Sequence, residues 1–236
     1  MKKSVIFALI IVLVLALAAA FFFVVLPQWQ KSSYKPVTLS DYLNSKQAEY
    51  LALDLSEGSL AKVIEQILKI EAELKINPND YQNWVQVGVL YQRLHEYDLA
   101  KKSFEVAAEI LPGEGLAFAN LAELYVFNFK DFDQAVENYK KAIANDYWQV
   151  SWYRSLADLY RSKFPDKISE IEPLMLQGVE KNPGTASDYY GYLLTFFWEQ
   201  GEFQKALDYG KKLLALDPNN DKYQQAIKDL EAELAK

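Results

Sequence analysis

The sequence predicts an all-α solenoid of stacked helical hairpins, preceded by one transmembrane helix, on three observations. A pattern of aromatic, small and aliphatic residues returns about every 34 residues. Proline-bearing turns punctuate it at Asn77-Pro78-Asn79-Asp80, Asn182-Pro183-Gly184 and Asp217-Pro218-Asn219-Asn220. Near the amino terminus, Val5 to Leu26 runs for 22 residues without a charge. A single hairpin cannot bury its own apolar face, so a recurring hairpin pattern implies stacking.

The apolar run comes first. At about 1.5 Å per residue it spans the roughly 30 Å hydrocarbon layer. Residues 1–4, with Lys2 and Lys3, form a short cytoplasmic tail, and Pro27, Trp29 and Lys31 suit the headgroup region. A cleaved signal peptide is the alternative, with small residues at Ala18-Ala19-Ala20. Against cleavage, Phe21 to Leu26 continues the run past such a site, which favours an uncleaved signal anchor over residues 5–26. Lys31 and Lys35 weaken the charge asymmetry, but a four-residue tail is more easily retained than moved, so residues 32–236 are expected outside the cytoplasm. Ala16 and Ala20, four residues apart, permit close helix contact and self-association. Residues 27–38 read as a linker.

The hairpins follow in order. Residues 39–80 predict a degenerate first hairpin, a short helix near Ser40 to Leu53 and then an amphipathic one carrying Leu60, Val63, Ile64, Ile67, Leu68 and Leu74. In residues 81–114, Trp84, Val87, Gly88 and Tyr91 share one face of a first helix, and Ala100, Phe104 and Ala107 face them from a second, stopped by Pro112-Gly113. Gly88 costs roughly 1 kcal/mol relative to alanine inside a helix, so close approach of the partner backbone is expected there. Residues 115–149 repeat the slots with Phe118, Leu121, Ala122, Tyr125, Ala135, Tyr139 and Ala142, and carry one extra residue in the turn from Phe127 to Asp133. Residues 150–186 show Tyr153, Leu156, Ala157 and Tyr160, a longer turn around Phe164-Pro165-Asp166, and then Ile171, Met175 and Gly178. Residues 187–220 bring Tyr190, Leu193, Phe197, Ala206 and Pro218. Residues 221–236 predict a capping helix with a stripe of Tyr223, Ile227, Leu230 and Leu234 and a wet outer face.

These slots resemble the tetratricopeptide repeat. The resemblance implies a right-handed superhelix that binds a protein or peptide partner in its concave groove, lined by first-helix residues facing away from the second helix. On this chain the family's register selects Gln82, Val85, Val89 and Gln92, then Ala119, Asn120, Glu123 and Phe127, then Arg154, Asp158 and Arg161, and finally Tyr192, Thr195 and Trp198. Phe127, Tyr192 and Trp198 would anchor a ligand, and Arg154 or Arg161 would take a carboxylate. Some family members read acidic chaperone tails through a two-carboxylate clamp. Val85 and Val89 stand where that clamp begins and only Asn120 matches it, so a chaperone-tail reader is disfavoured. The N-terminal layout resembles bacterial inner-membrane anchors, which implies a single-pass protein of the bacterial cytoplasmic membrane.

Composition narrows the chemistry. All 32 acidic residues and 23 of the 25 basic ones follow the apolar run, leaving a net charge of −9 there, which disfavours nucleic acid and anionic headgroups. The absence of cysteine excludes a lipidated cysteine, disulfides and thiol chemistry. His95 is the only histidine and falls in a turn, Glu71 and Glu73 point to different sides of a helix, and no zinc, calcium or phosphate motif appears. A non-enzymatic chain without cofactor or metal is therefore expected: an interaction scaffold in an envelope assembly or quality-control complex, with a holdase-like helper binding unfolded clients near the translocation channel as the alternative.

Overall fold

The computed structural model describes residues 39–51 and 57–236. The predicted anchor at residues 5–26 and linker at 27–38 lie outside the described residues. Among the described residues every regular element is helical, and no helix is long and apolar enough to cross a membrane. The chain divides into two units, residues 1–49 and 50–236.

In the first unit the described part holds α1 (Leu39–Ser45) and most of α2 (Gln47–Leu51). The Ser45 hydroxyl donates to the Tyr42 carbonyl at 2.7 Å and closes the last turn of α1. Lys46 lies over the Tyr42 ring at 5.2 Å and pairs with Glu49 at 3.8 Å.

The second unit is the helical array. Its first long helix, α3 (Glu57–Ile76), buries Leu60, Val63, Ile64, Ile67, Ile70 and Leu74 along one stripe. Pro78 prevents continuation, and Asp80 restarts the chain by accepting the Asn83 N–H at 3.1 Å. Four hairpins follow: α4 (Tyr81–Arg93) with α5 (Tyr97–Ile110), α6 (Gly115–Leu124) with α7 (Phe132–Asn145), α8 (Val150–Lys163) with α9 (Ile171–Lys181), and α10 (Ala186–Glu199) with α11 (Phe203–Leu216). A last helix, α12 (Asp221–Leu234), covers α11 with Ile227 and Leu230, and a Cβ on Gly210 would come within 3.2 Å of Ile227. Leu234, read from sequence as part of that stripe, is exposed and borders an open hollow beside the turn from Gly201 to Lys205.

Gly88 serves a different purpose from the one its sequence position suggests. A Cβ there would fall 2.5 Å from Cε1 of the fully buried Phe104. The glycine seats an aromatic ring of α5, not a backbone. Gly178 of α9 likewise receives the Tyr189 ring of α10, so the device also works between hairpins.

The turns inside the hairpins explain their unequal lengths. In the first and fourth, a left-handed residue, His95 (φ 60°) or Gly201 (φ 75°), ends the first helix. The next N–H reaches back to the last full turn, Glu96 to Tyr91 and Glu202 to Phe197, each at 2.9 Å. The second hairpin absorbs its extra residue as a π-helical turn, Tyr125–Phe129, closed by Lys130 at φ 57°. The turn predicted there from Phe127 to Asp133 is thus helical at its start, and α7 begins at Phe132. In the third hairpin Pro165 opens a 3₁₀ segment, Pro165–Glu170, in place of a left-handed cap. Beside it a cavity of about 470 Å³ lies among α7, α8 and α9, lined by Ile143, Leu156, Tyr160 and Leu174.

Candidate functional cleft between two first helices

Stacking sets first helices of successive hairpins side by side, so a residue on one lies beside the residue one repeat later. On α8, Arg154, Asp158 and Arg161 occupy i, i+4 and i+7, one face of the helix. On α10, Asp188, Tyr192, Thr195 and Glu199 make the facing stripe. Between the two lies an open cleft of about 380 Å³.

Its floor is a cross-helix network. The Tyr192 hydroxyl donates to Asp158 Oδ1 at 2.8 Å, 34 residues away. Arg161 donates through Nη1 to Glu199 Oε2 at 2.7 Å and lies 3.6 Å from Asp158 through Nη2. Burial, with the Asp158 carboxylate next, pushes the Tyr192 hydroxyl well above its ordinary range, so it remains a fixed donor. Its ring runs parallel to Phe196 with centroids 6.5 Å apart. Arg154 has no ion-pair partner among the described residues, and its guanidinium stands near enough to act on the Tyr192 hydroxyl. The ion pairs are about half exposed and add at most about 1 kcal/mol each, so they order the cleft more than they stabilise the fold.

Five residues selected from sequence therefore meet in one place: Arg154, Asp158, Arg161, Tyr192 and Thr195. Asp188, Phe196 and Glu199 complete the cleft and were not selected. Counting one repeat from Asp158 gives Tyr192, and one further helical turn beyond the same count from Arg161 gives Glu199, 38 residues on. That arithmetic was available in the sequence.

The other selected residues lie elsewhere. Val85 is buried, at 7% exposure, and Ala119 is buried too, because both face the neighbouring helices and not the groove. Gln82 and Val89 are exposed, and Gln92 is half-buried. Asn120 is half-buried and spends its amide on the Leu116 carbonyl of its own helix at 3.0 Å. Burial raises the Glu123 carboxyl above its ordinary value. Phe127, at 65% exposure, projects from the π turn. Trp198 is half-buried, and borders a second hollow against Lys222, Gln225 and Asp229 of α12. His95 stacks on Tyr97 at 5.4 Å. Among the described residues no group of three potential metal ligands comes together.

A tetratricopeptide-repeat family model matches residues 117–146, the second hairpin. Tetratricopeptide repeat protein 37 of Xenopus laevis is 29% identical over 131 residues, which is 55% of this chain and 8% of that protein. Human superkiller complex protein 3 is 30% identical over 130 residues, with the same coverage. The chain thus spans less than a tenth of the length of these curated relatives. Among solved structures, that of MamA superposes with a TM-score of 0.52 at 18% identity, covering 79% of this chain and 98% of that one. A tetratricopeptide-repeat protein of Parabacteroides merdae gives 0.53 at 14% identity, covering 84% and 74%. The C-terminal part of a repeat protein from Cytophaga hutchinsonii gives 0.53 at 19% identity, covering 80% and 74%. The helical array shares the stacked-hairpin fold of these structures.

Proposed function

We propose that this chain is a membrane-tethered tetratricopeptide scaffold that holds an extended segment of a partner protein in the cleft between α8 and α10. One observation carries the reading: two successive first helices share the Tyr192–Asp158–Arg161–Glu199 network while Arg154 stays without an ion-pair partner beside it. A pre-ordered set of donors and acceptors lowers the entropy cost of gripping a flexible segment. Arg154 supplies a cation for a carboxylate, and the Tyr192 and Phe196 rings supply apolar area.

The tether rests on the sequence. Val5 to Leu26 is long and apolar enough to span a bilayer, and Lys2 and Lys3 favour an inside amino terminus. In this reading residues 32–236 stand outside the cytoplasm of a bacterial cell, where the scaffold serves an envelope assembly or quality-control complex.

The test is photo-crosslinking in cells from Thr195 of the full-length chain, with the exposed Gln204 on α11 as control position. A single dominant adduct from Thr195, abolished by Arg154→Glu, is the expected result. A diffuse set of adducts insensitive to Arg154→Glu would favour holdase behaviour over a dedicated scaffold. No adduct from Thr195 would remove the cleft from consideration.

A further inference from the structure

Helices of the array alternate in direction, so turns that join one hairpin to the next share one edge and turns inside hairpins share the other. The exposed large apolar residues are concentrated on the first of these edges. Ile76 ends α3, Leu111 follows α5, Leu116 lies in the first turn of α6, Tyr147 and Trp148 follow α7, and Leu216 ends α11. The centre of this edge is rigid. Asn145 Nδ2 donates to the Pro112 carbonyl at 2.8 Å, and the Gly115 N–H donates to Asp146 Oδ2 at 2.6 Å. These bonds bind the turn carrying Leu111 and Leu116 to the turn carrying Tyr147 and Trp148. The two aromatic rings meet edge to face with centroids 5.4 Å apart.

A fixed apolar patch held open to water needs an occupant. We propose that this edge, centred on Leu111, Leu116, Tyr147 and Trp148, rests in the interfacial layer of the bilayer that holds residues 5–26, which makes lipid its partner. The proposal rests on the anchor part of the reading above. Two further arguments select lipid. Tryptophan and tyrosine, with an apolar ring and a polar tip, favour the membrane–water interface over either phase. The apolar run ends at Leu26 and the same chain continues into the array, so in that reading the patch is tethered to the bilayer. Tethering raises the local concentration, so a patch too small to bind vesicles unaided suffices. Glu114, Asp217 and Asp221 lie at the same edge with Lys75, Lys181 and Lys222, so its exposed charges balance and give anionic lipid no advantage over zwitterionic lipid.

The chain has no cysteine, so single cysteines can be introduced and labelled uniquely. Full-length Trp148→Cys and Leu111→Cys report the patch, His95→Cys and Gln200→Cys the opposite edge, and Ile10→Cys the anchor. Each carries an environment-sensitive fluorophore and is reconstituted into phosphatidylcholine vesicles with or without a headgroup-depth nitroxide lipid. All four array variants replace exposed residues, and matching far-ultraviolet circular dichroism verifies their fold. The expected result is a blue-shifted emission that loses most of its intensity to the nitroxide at 148 and 111 and none at 95 and 200. The loss should not grow when anionic lipid replaces part of the phosphatidylcholine. Quenching at 10 with none at 148 and 111 overturns the proposal and leaves the anchor intact. Quenching at 148 and 111 without burial at 10 removes the anchor and overturns the tethered docking proposed here. A blue shift at 148 without nitroxide quenching means that protein covers the patch, and overturns the proposal.

Discussion

Replacing Asp146 by alanine should loosen the second hairpin where the end of α7 meets the start of α6. The carboxylate is buried at 7% exposure and accepts the Gly115 N–H, the first of α6, at 2.6 Å. That N–H has no partner within its own helix, and Gly115 is itself buried. Leaving it unsatisfied costs about 1–3 kcal/mol. Losing a negative charge from a helix amino terminus costs a further ~0.3–1 kcal/mol. The sum is about 1–4 kcal/mol, which in an array of this size lowers Tm by roughly 3–15 °C. Asp146→Asn keeps an acceptor and loses only the charge, so about 1 kcal/mol is expected. The assay is urea and thermal unfolding of the full-length protein in detergent, followed by helical circular dichroism. Gly115→Ala should cost at least as much as the Asp146→Ala variant, because its Cβ would fall 2.6 Å from both the Ala142 carbonyl and Cζ3 of the buried Trp152 and 2.7 Å from the same carboxylate oxygen. An Asp146→Ala variant no less stable than Asp146→Asn would show that the hydrogen bond carries none of the stability assigned to it.

Three other perturbations have defined outcomes. Gly88→Ala gains about 1 kcal/mol of helix propensity but forces the Phe104 ring from its seat, so a net loss of about 1–2 kcal/mol is expected in urea unfolding; a net gain would mean that the ring yields freely. Tyr153 is fully buried, its hydroxyl has no hydrogen-bond partner among the described residues and burial pushes it up to about 12, so Tyr153→Phe should raise stability by about 1 kcal/mol, and a loss would reveal a partner. Burial raises the Glu123 carboxyl above its ordinary value of 4.5, so the folded chain holds that proton more tightly than the unfolded one. Its contribution is fully present below the unfolded pKa and is lost as pH rises through the folded value; Glu123→Gln should flatten stability across that window, measured as Tm against pH.

The core was legible because its signal is local and repeats. Gly88 with Phe104, and Tyr153 with Leu156 and Ala157, occupy slots that any stacked hairpin must fill with small and large residues. The extra residue of the second hairpin was countable, but its form was not. Whether a chain spends an added residue on a longer loop or a widened helical turn depends on what anchors both ends, here Tyr125 and Lys130. Val85 misled because a register carried from a family assigns a face without knowing which neighbour covers it. The Asn145–Pro112 and Asp146–Gly115 bonds were invisible to helical periodicity, since they join turns whose relative height is set only by packing.

The third hairpin gives the array a seam. Its α9 is the shortest second helix and is reached through a 3₁₀ segment, and an open hollow of about 470 Å³ lies at the surface among α7, α8 and α9. In a linear array, cooperativity travels only through neighbouring interfaces, so the weakest one sets where unfolding divides. Amide exchange should therefore resolve two blocks, α3 through α7 and α10 through α12. The hairpin between them opens first, and the α8 wall of the binding cleft opens with it. Partner binding would then be coupled to repair of that seam, and an occupied cleft would be read out as a single cooperative transition.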